Sequence, residues 1–246
     1  MIPRDIQEDI DTNSPKRRCF FTVGDNANVA KFYGGLEKSL RHFHPDAELI
    51  LFGEDYAKKF NDPNFYPKSK MIIFKELFDR GYDEICGLDI DQIFTGDVSD
   101  IWEGDYDVGV VGNDPNYPIG VWDITHPNYY NNGLVVLKSR EFAEHWYRLC
   151  NTHPLYEHYR YGEQDILNIL CSTYHNYKIK RLDDGDKLYG EGAKPFWARS
   201  RIEGDKLIGG DKQICVVHWA GGTGKNANVD ILFPEECAKF IKQLIK

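Results

Sequence analysis

The sequence predicts an α/β chain, with a mainly parallel central sheet carrying helices on both faces. Three observations lead there. Apolar runs of strand length alternate with stretches of helical period, the 246 residues are enough to bury a sizeable core, and two carboxylates, Asp89 and Asp91, end the strand-like run "EICGLDID". Strands alternating with helices favour parallel pairing, because each crossover lays its helix on a sheet face. Ligands of such sheets sit at the carboxyl ends of the strands, where the two aspartates fall.

Taken in order, residues 1–17 are polar, with Asp, Asn, Ser and Pro in place of an apolar period, and read as a flexible arm ahead of a single folded domain over 18–246. "RCFFTVG" reads as a strand. Val29, Phe32, Tyr33, Leu36, Leu40 and Phe43 then recur at helical spacing, and "AELILFG" gives a second buried strand. A helix over about 68–80 carries Ile73, Leu77 and Phe78 on one face and leads into "EICGLDID". Further strands are expected at "DVGVVGN", "NNGLVVLK", "YKIKRL" and "QICVVHWA", with helices around 140–151, 163–174 and 234–245. Two stretches without period, 115–130 and the Gly-rich, charged 183–212, read as long loops of the kind that often carry function.

Composition narrows the function classes. Thirty Lys plus Arg against 39 Asp plus Glu leave a formal charge of −9, which argues against a nucleic-acid partner. Six cysteines lie apart from one another without a CxxC, mostly in apolar runs, and are expected to be reduced and core-facing. No apolar run approaches the ~20 residues of a spanning helix, and the first residues lack the apolar stretch of a signal peptide, so the expected location is cytoplasmic.

In an extended strand alternate side chains share a face, so Asp89 and Asp91 are expected on one side and Cys86, Leu88 and Ile90 on the other. Two carboxylates facing one space call for a cation or well-placed donors. An EF-hand loop is excluded, because Ile93 and Phe94 stand where it needs Asn or Asp and then Gly. Two readings remain open at this point: a phosphatase of the haloacid dehalogenase kind, with Asp89 as nucleophile, and a carboxylate pair holding a divalent metal on the diphosphate of a nucleotide-sugar.

The surroundings add to the second. The run "PKSKMIIFKELFDRGYDEICGLDIDQIFTGDVSDIW" has Ser69-Lys70 opening a helix, a Tyr82-Asp83 turn, Leu88 to Asp91, an apolar pair, and Gly96-Asp97 before a short helix. It resembles the metal-dependent GT-A glycosyltransferases of the family 8 type, the glycogenin-like group. The likeness continues in order through "YNNGLVVLK", "GEQDILNIL" and "VVHWAGGTGK", over about residues 18–225. Departures are Asn132 at a position the family keeps small, Glu163 for an Asp, and Lys225 one residue later than the family's phosphate lysine.

That resemblance implies a single GT-A (Rossmann-like) domain, a UDP-sugar donor, Mn²⁺ with Mg²⁺ as an alternative, and a glycan, protein or lipid-linked acceptor. Asp91 and His218 would coordinate the metal with the diphosphate, Asp89 would sit against the ribose and sugar and also touch the metal, and Gly221 and Lys225 of "AGGTGK" would meet the phosphates, as small, closely approaching backbone and point charge. Thr22, Val23 and Asp25 would meet base and ribose, although a strand-to-helix turn with an Asp cap fits them equally. Lys70 would lie near donor sugar and diphosphate; its plain reading is a solvated lysine at a helix start. Trp122 and Tyr129, with Tyr117, Tyr130 and Asn131, would line the acceptor side or pack the loop down. Gln164, flanked by Glu163 and Asp165, would face the reacting sugar, an amide there favouring retention of configuration and a carboxylate permitting inversion. A third class, a nucleotide-sugar-binding module without catalysis, stays open beside the two enzymes.

Overall fold

The structure is a computed structural model that describes residues 15–60, 66–116, 119–120, 124, 128–154, 156–174, 176–219 and 229–246. In chain order β1 (Arg18–Val23) leads through α1 (Asn26–Asn28) and a π turn (Val29–Tyr33) into α2 (Gly34–Phe43), then β2 (Leu49–Phe52), α3 (Glu54–Ala57) and α4 (Ser69–Asp79). Next come β3 (Glu84–Asp89), β4 (Gln92–Phe94), β5 (Val108–Gly112), β6 (Tyr130–Leu137), α5 (Arg140–Thr152), α6 (Glu163–Thr173) and β7 (Ile179–Arg181). Four short strands, β8 (Lys187–Leu188), β9 (Arg201–Glu203), β10 (Lys206–Gly209) and β11 (Lys212–Ile214), precede β12 (Val216–His218), α7 (Val229–Leu232) and α8 (Glu235–Leu244).

Six strands form the central sheet in the order β2-β1-β3-β6-β5-β7. The pairings β1–β2, β1–β3 and β5–β7 are parallel, and β6 runs against both its neighbours, β3 and β5. The sheet is therefore mixed, mainly parallel with one reversed strand.

Alternation along the strands divides the core. Phe21, Ile85, Val135 and Leu137 enter one face with Ile73, Phe74 and Leu77 of α4, Trp146 of α5 and Leu167 of α6. Phe20, Cys86, Leu88, Leu134 and Val136 enter the other, where α2 supplies Leu36 and Leu40. Each face is thus covered by helix, the condition under which a largely parallel sheet is stable. All six cysteines are free, five of them buried, as their apolar settings predict.

Two expectations change. The 183–212 stretch is not a loop: it holds a 3-10 helix, Gly190–Arg199, and a small sheet in the order β8-β11-β10-β9. Its turns are made by glycines with positive φ, Gly204 at 64° and Gly210 at 67°, and such short strands leave too few residues for an alternating signal. The strand "QICVVHWA" is also divided. Its first part closes the small sheet as β11, and β12 pairs antiparallel with β4, outside the central sheet. At the start of the described chain, Lys16 is 2.7 Å from Glu84 and the Arg17 amide donates to Asp83 at 2.8 Å. Among the described residues no helix is long and apolar enough to cross a membrane.

Candidate metal and donor site

The two aspartates meet by a turn rather than by strand alternation. β3 ends at Asp89, Ile90 and Asp91 turn the chain, and β4 leaves for its pairing with β12, in which His218 stands opposite Gln92. The Trp219 amide donates to the Asp91 carbonyl at 3.3 Å and fixes that corner. The expectation of one continuous strand is thereby corrected, while the convergence it was used to explain remains.

His218 Nε2 lies 3.1 Å from Asp89 Oδ2 and 3.3 Å from Asp91 Oδ1. Neither approach has hydrogen-bond geometry, and both ring nitrogens are buried without a hydrogen-bond partner. One ligand atom from each of the three side chains lies within 4.8 Å of the others. Two carboxylates and an imidazole with orphaned nitrogens form a donor set that suits a divalent cation of the Mn²⁺ or Mg²⁺ kind, the imidazole favouring Mn²⁺. Burial opposes the charged form of His218, but Asp91 and Asp89 outweigh it and raise its pKa to about 10. The ring fits because residue 133 is glycine: a Cβ there would lie 2.6 Å from His218 Nδ1 and 2.7 Å from Asn131 Oδ1.

Lys70 is not a solvated lysine. Its side chain is 3% exposed, its Nζ is 2.6 Å from Asp89 Oδ1, and it donates to the carbonyls of Asn132 and Gly133. Position in the first turn of α4 sends it across the end of β3 toward β6. Burial opposes ionisation of Asp89, but Lys70 and His218 outweigh it and hold that carboxyl well below the usual carboxylate range.

The first turns of α6 are stitched to the start of β6. Asn168 accepts from the Tyr130 amide at 2.6 Å and donates to its carbonyl at 2.8 Å. Gln164 Oε1 accepts from the Asn132 amide at 3.1 Å and from Asn131 Nδ2 at 3.3 Å, and Gln164 Nε2 donates to the Tyr129 hydroxyl at 3.2 Å. Glu163 accepts from Asn132 Nδ2 at 3.0 Å. Two of the departures noted in the sequence, Asn132 and Glu163, are thus bonded to each other. Burial pushes Glu163 up to about 8, with the Lys70 charge opposing and the Asp89 charge adding to the rise. Asp165 is fully buried and accepts from the Tyr129 hydroxyl and the Tyr161 amide.

Other expected residues divide. Thr22 is buried and donates to the Leu88 carbonyl at 3.1 Å, and Val23 pairs beside Asp89 in the β1–β3 register. Asp25 caps α1, accepting from the Asn28 amide at 2.7 Å. Tyr129 is fully buried, packed with Ile124 and Tyr161, so its ring offers no face to an acceptor; for this residue the packing alternative replaces the stacking one. Tyr117 and Trp122, and Gly221 and Lys225, lie outside the described residues.

Sequence reasoning missed Glu191, 1% exposed, whose Oε1 is 3.7 Å from His218 Nδ1. It sits in "GEGAKPFW", and the glycines on either side, which permit close backbone approach, were the only signal available. Gln92, opposite His218, was also missed; both its side-chain polar atoms are buried without a partner.

No protein-family model and no curated protein sequence matches the chain. Solved structures do. The galactosyltransferase LgtC in complex with donor and acceptor sugar analogs is 16% identical, with a TM-score of 0.53 over 92% of this chain and 94% of that one. A glycosyltransferase involved in glycosylation of the major capsid of PBCV-1 is 12% identical, with a TM-score of 0.53 over 92% and 99%. The bifunctional WbbM gives 13% and 0.55 over 94% of this chain, which spans 52% of that protein. The chain spans 46% of GlyE of Streptococcus pneumoniae TIGR4, at 19% identity and a TM-score of 0.48. Its fold is therefore that of these GT-A glycosyltransferase structures, and in this chain it is an α/β fold around a mixed central sheet of six strands.

Proposed function

We propose that the chain is a metal-dependent glycosyltransferase of the family 8 type that moves a hexose from a UDP-sugar to a hydroxyl of a glycan, protein or lipid-linked acceptor. The observation that carries the reading is the convergence of Asp89, Asp91 and His218 at the carboxyl end of β3, on a GT-A fold. Asp89, Asp91 and His218 hold the cation, Mn²⁺ in the first instance, and the bound cation supplies positive charge against the donor diphosphate. Lys70 keeps Asp89 ionised and adjacent. Val23, which ends β1 beside Asp89, and Asp25, the cap of α1 two residues on, are assigned to the nucleotide. Gly221 and Lys225 belong to the same proposal as phosphate contacts.

Retention of configuration is the favoured outcome. Asp165 is engaged by Tyr129 and Tyr161, and Glu163, raised to about 8, holds its proton at neutral pH. That leaves Gln164, whose amide is too weak a base to deprotonate an acceptor hydroxyl, as the polar group held in place between Asn131, Asn132 and Tyr129. No observation favours the phosphatase reading; Asp183 of its acidic motif "LDDGD" is paired with Arg181 at 2.9 Å.

The test is a panel of nucleotide-sugars incubated with protein, Mn²⁺ and candidate acceptors, reading released nucleoside diphosphate. Release of UDP from one UDP-hexose, lost in excess EDTA, is expected. Metal-dependent UDP binding without turnover of any sugar would instead mark a binding module, and release from a GDP-sugar would overturn the uracil assignment alone.

A further inference from the structure

We infer that Glu191 is the positioning residue of His218: its carboxylate accepts the Nδ1 proton's hydrogen bond and so leaves Nε2 as the nitrogen that faces the cation. The inference rests on the metal reading above and assigns a residue that reading does not need.

Two buried atoms face each other without partners. His218 Nδ1 and Glu191 Oε1 are 3.7 Å apart, both side chains are 1% exposed, and neither atom has a hydrogen bond. A neutral imidazole has one protonated and one bare nitrogen. Nε2 is the nitrogen turned toward Asp89 and Asp91, so a ligand lone pair there requires the proton on Nδ1, and a buried N–H requires an acceptor. Carboxylates in this outer position fix the tautomer and the ring orientation of metal-ligating histidines.

The chain is built to bring the carboxylate there. Gly190 has a φ of 51°, and a Cβ at 190 would stand 3.7 Å from His218 Cβ and 3.9 Å from Nδ1, so the backbone before Glu191 runs against the ring. From behind, Lys194 Nζ is 3.4 Å from Glu191 Oε2 and 3.8 Å from Asp114 Oδ2. A shift of less than 1 Å brings Oε1 to hydrogen-bond distance of Nδ1.

The experiment compares wild type with Glu191→Gln, which keeps an acceptor oxygen, and Glu191→Met, which keeps the volume and removes it. Mn²⁺ affinity is read by calorimetry, and the His218 tautomer by long-range ¹H–¹⁵N correlation in the diamagnetic Mg²⁺-loaded protein. Expected are an Nδ1–H tautomer in wild type, near-wild-type Mn²⁺ affinity in the Gln variant, and about 10–100-fold weaker affinity in the folded Met variant. Equal affinity in wild type and Glu191→Met, or an Nε2–H tautomer in the loaded wild type, overturns the inference and leaves the metal site standing. Wild type that binds neither Mn²⁺ nor Mg²⁺ overturns the metal reading itself and the inference with it.

Discussion

The Lys70 ammonium stands 2.6 Å from Asp89 Oδ1 with its side chain 3% exposed, so one member of the acidic pair is charge-matched inside the fold. Replacing Lys70 by Met leaves Asp89 and the carbonyls of Asn132 and Gly133 without their donor. Loss of a fully buried pair costs about 3–5 kcal/mol. Asp89 is 36% exposed, so solvent recovers part of this, and a loss of about 2 kcal/mol in urea denaturation is expected. The Asp89 pKa is depressed in the fold, so the stability it contributes is present above the unfolded carboxyl pKa and lost as pH falls. The Lys70→Met deficit should therefore shrink in acid, and a deficit that grows there would contradict the pairing.

Glu163 carries the opposite sign. Burial raises its pKa to about 8, so as pH rises past about 4.3 the unfolded chain releases this proton while the fold retains it, and stability falls until pH passes 8. Glu163→Gln removes that penalty and keeps the acceptor for Asn132. The variant should gain roughly 2–4 kcal/mol over wild type between pH 5 and pH 8. Thermal or urea melts across that range measure the difference, and a constant offset would mean that Glu163 ionises normally.

At Gly133 the test is steric. An alanine Cβ would strike the His218 ring and the Asn131 carboxamide. Gly133→Ala should cost about 1–3 kcal/mol from overpacking and weaken Mn²⁺ binding at least about tenfold, because the ring it displaces is a ligand. Unchanged Mn²⁺ affinity by calorimetry would show that His218 does not hold the metal.

Gln164 bears on stereochemistry. Gln164→Ala should slow turnover roughly 10–100-fold while donor affinity stays within about threefold, the pattern of a group felt mainly in the transition state. Proton NMR of the new anomeric centre should show an α-linked product from an α-linked donor. A β-linked product would overturn retention, and silence of Gln164→Ala would return Glu163 and Asp165 to consideration.

Much of this was legible in the sequence because strong periodicity leaves little choice. The strands around Phe20, Leu88 and Val135 and the helices around Leu40, Phe74 and Trp146 lie where their apolar spacing puts them. His218 was legible through the motif around it, and Asp89 with Asp91 through their spacing. What escaped has a common cause: contacts between residues distant in the chain. Nothing local distinguishes Lys70 from a solvated lysine until β6 supplies two carbonyls, or places Glu191 against an imidazole 27 residues later. The turn at Ile90–Asp91 was hidden because the apolar-polar alternation of "LDID" runs from the end of β3 into it. For Tyr129 the sequence left stacking and packing as equal alternatives for a related reason, since the hydroxyl's partners Asp165 and Gln164 lie on α6.

Calorimetric titration of UDP into the protein with and without Mn²⁺, for wild type and Asp91→Asn, tests the central claim most directly. Without a cation the diphosphate meets two carboxylates and like charges repel, so wild type should bind UDP only when Mn²⁺ is present, and folded Asp91→Asn should lose that dependence together with most of the affinity. Equal UDP affinity with and without Mn²⁺, or full metal-dependent binding by Asp91→Asn, would contradict the account.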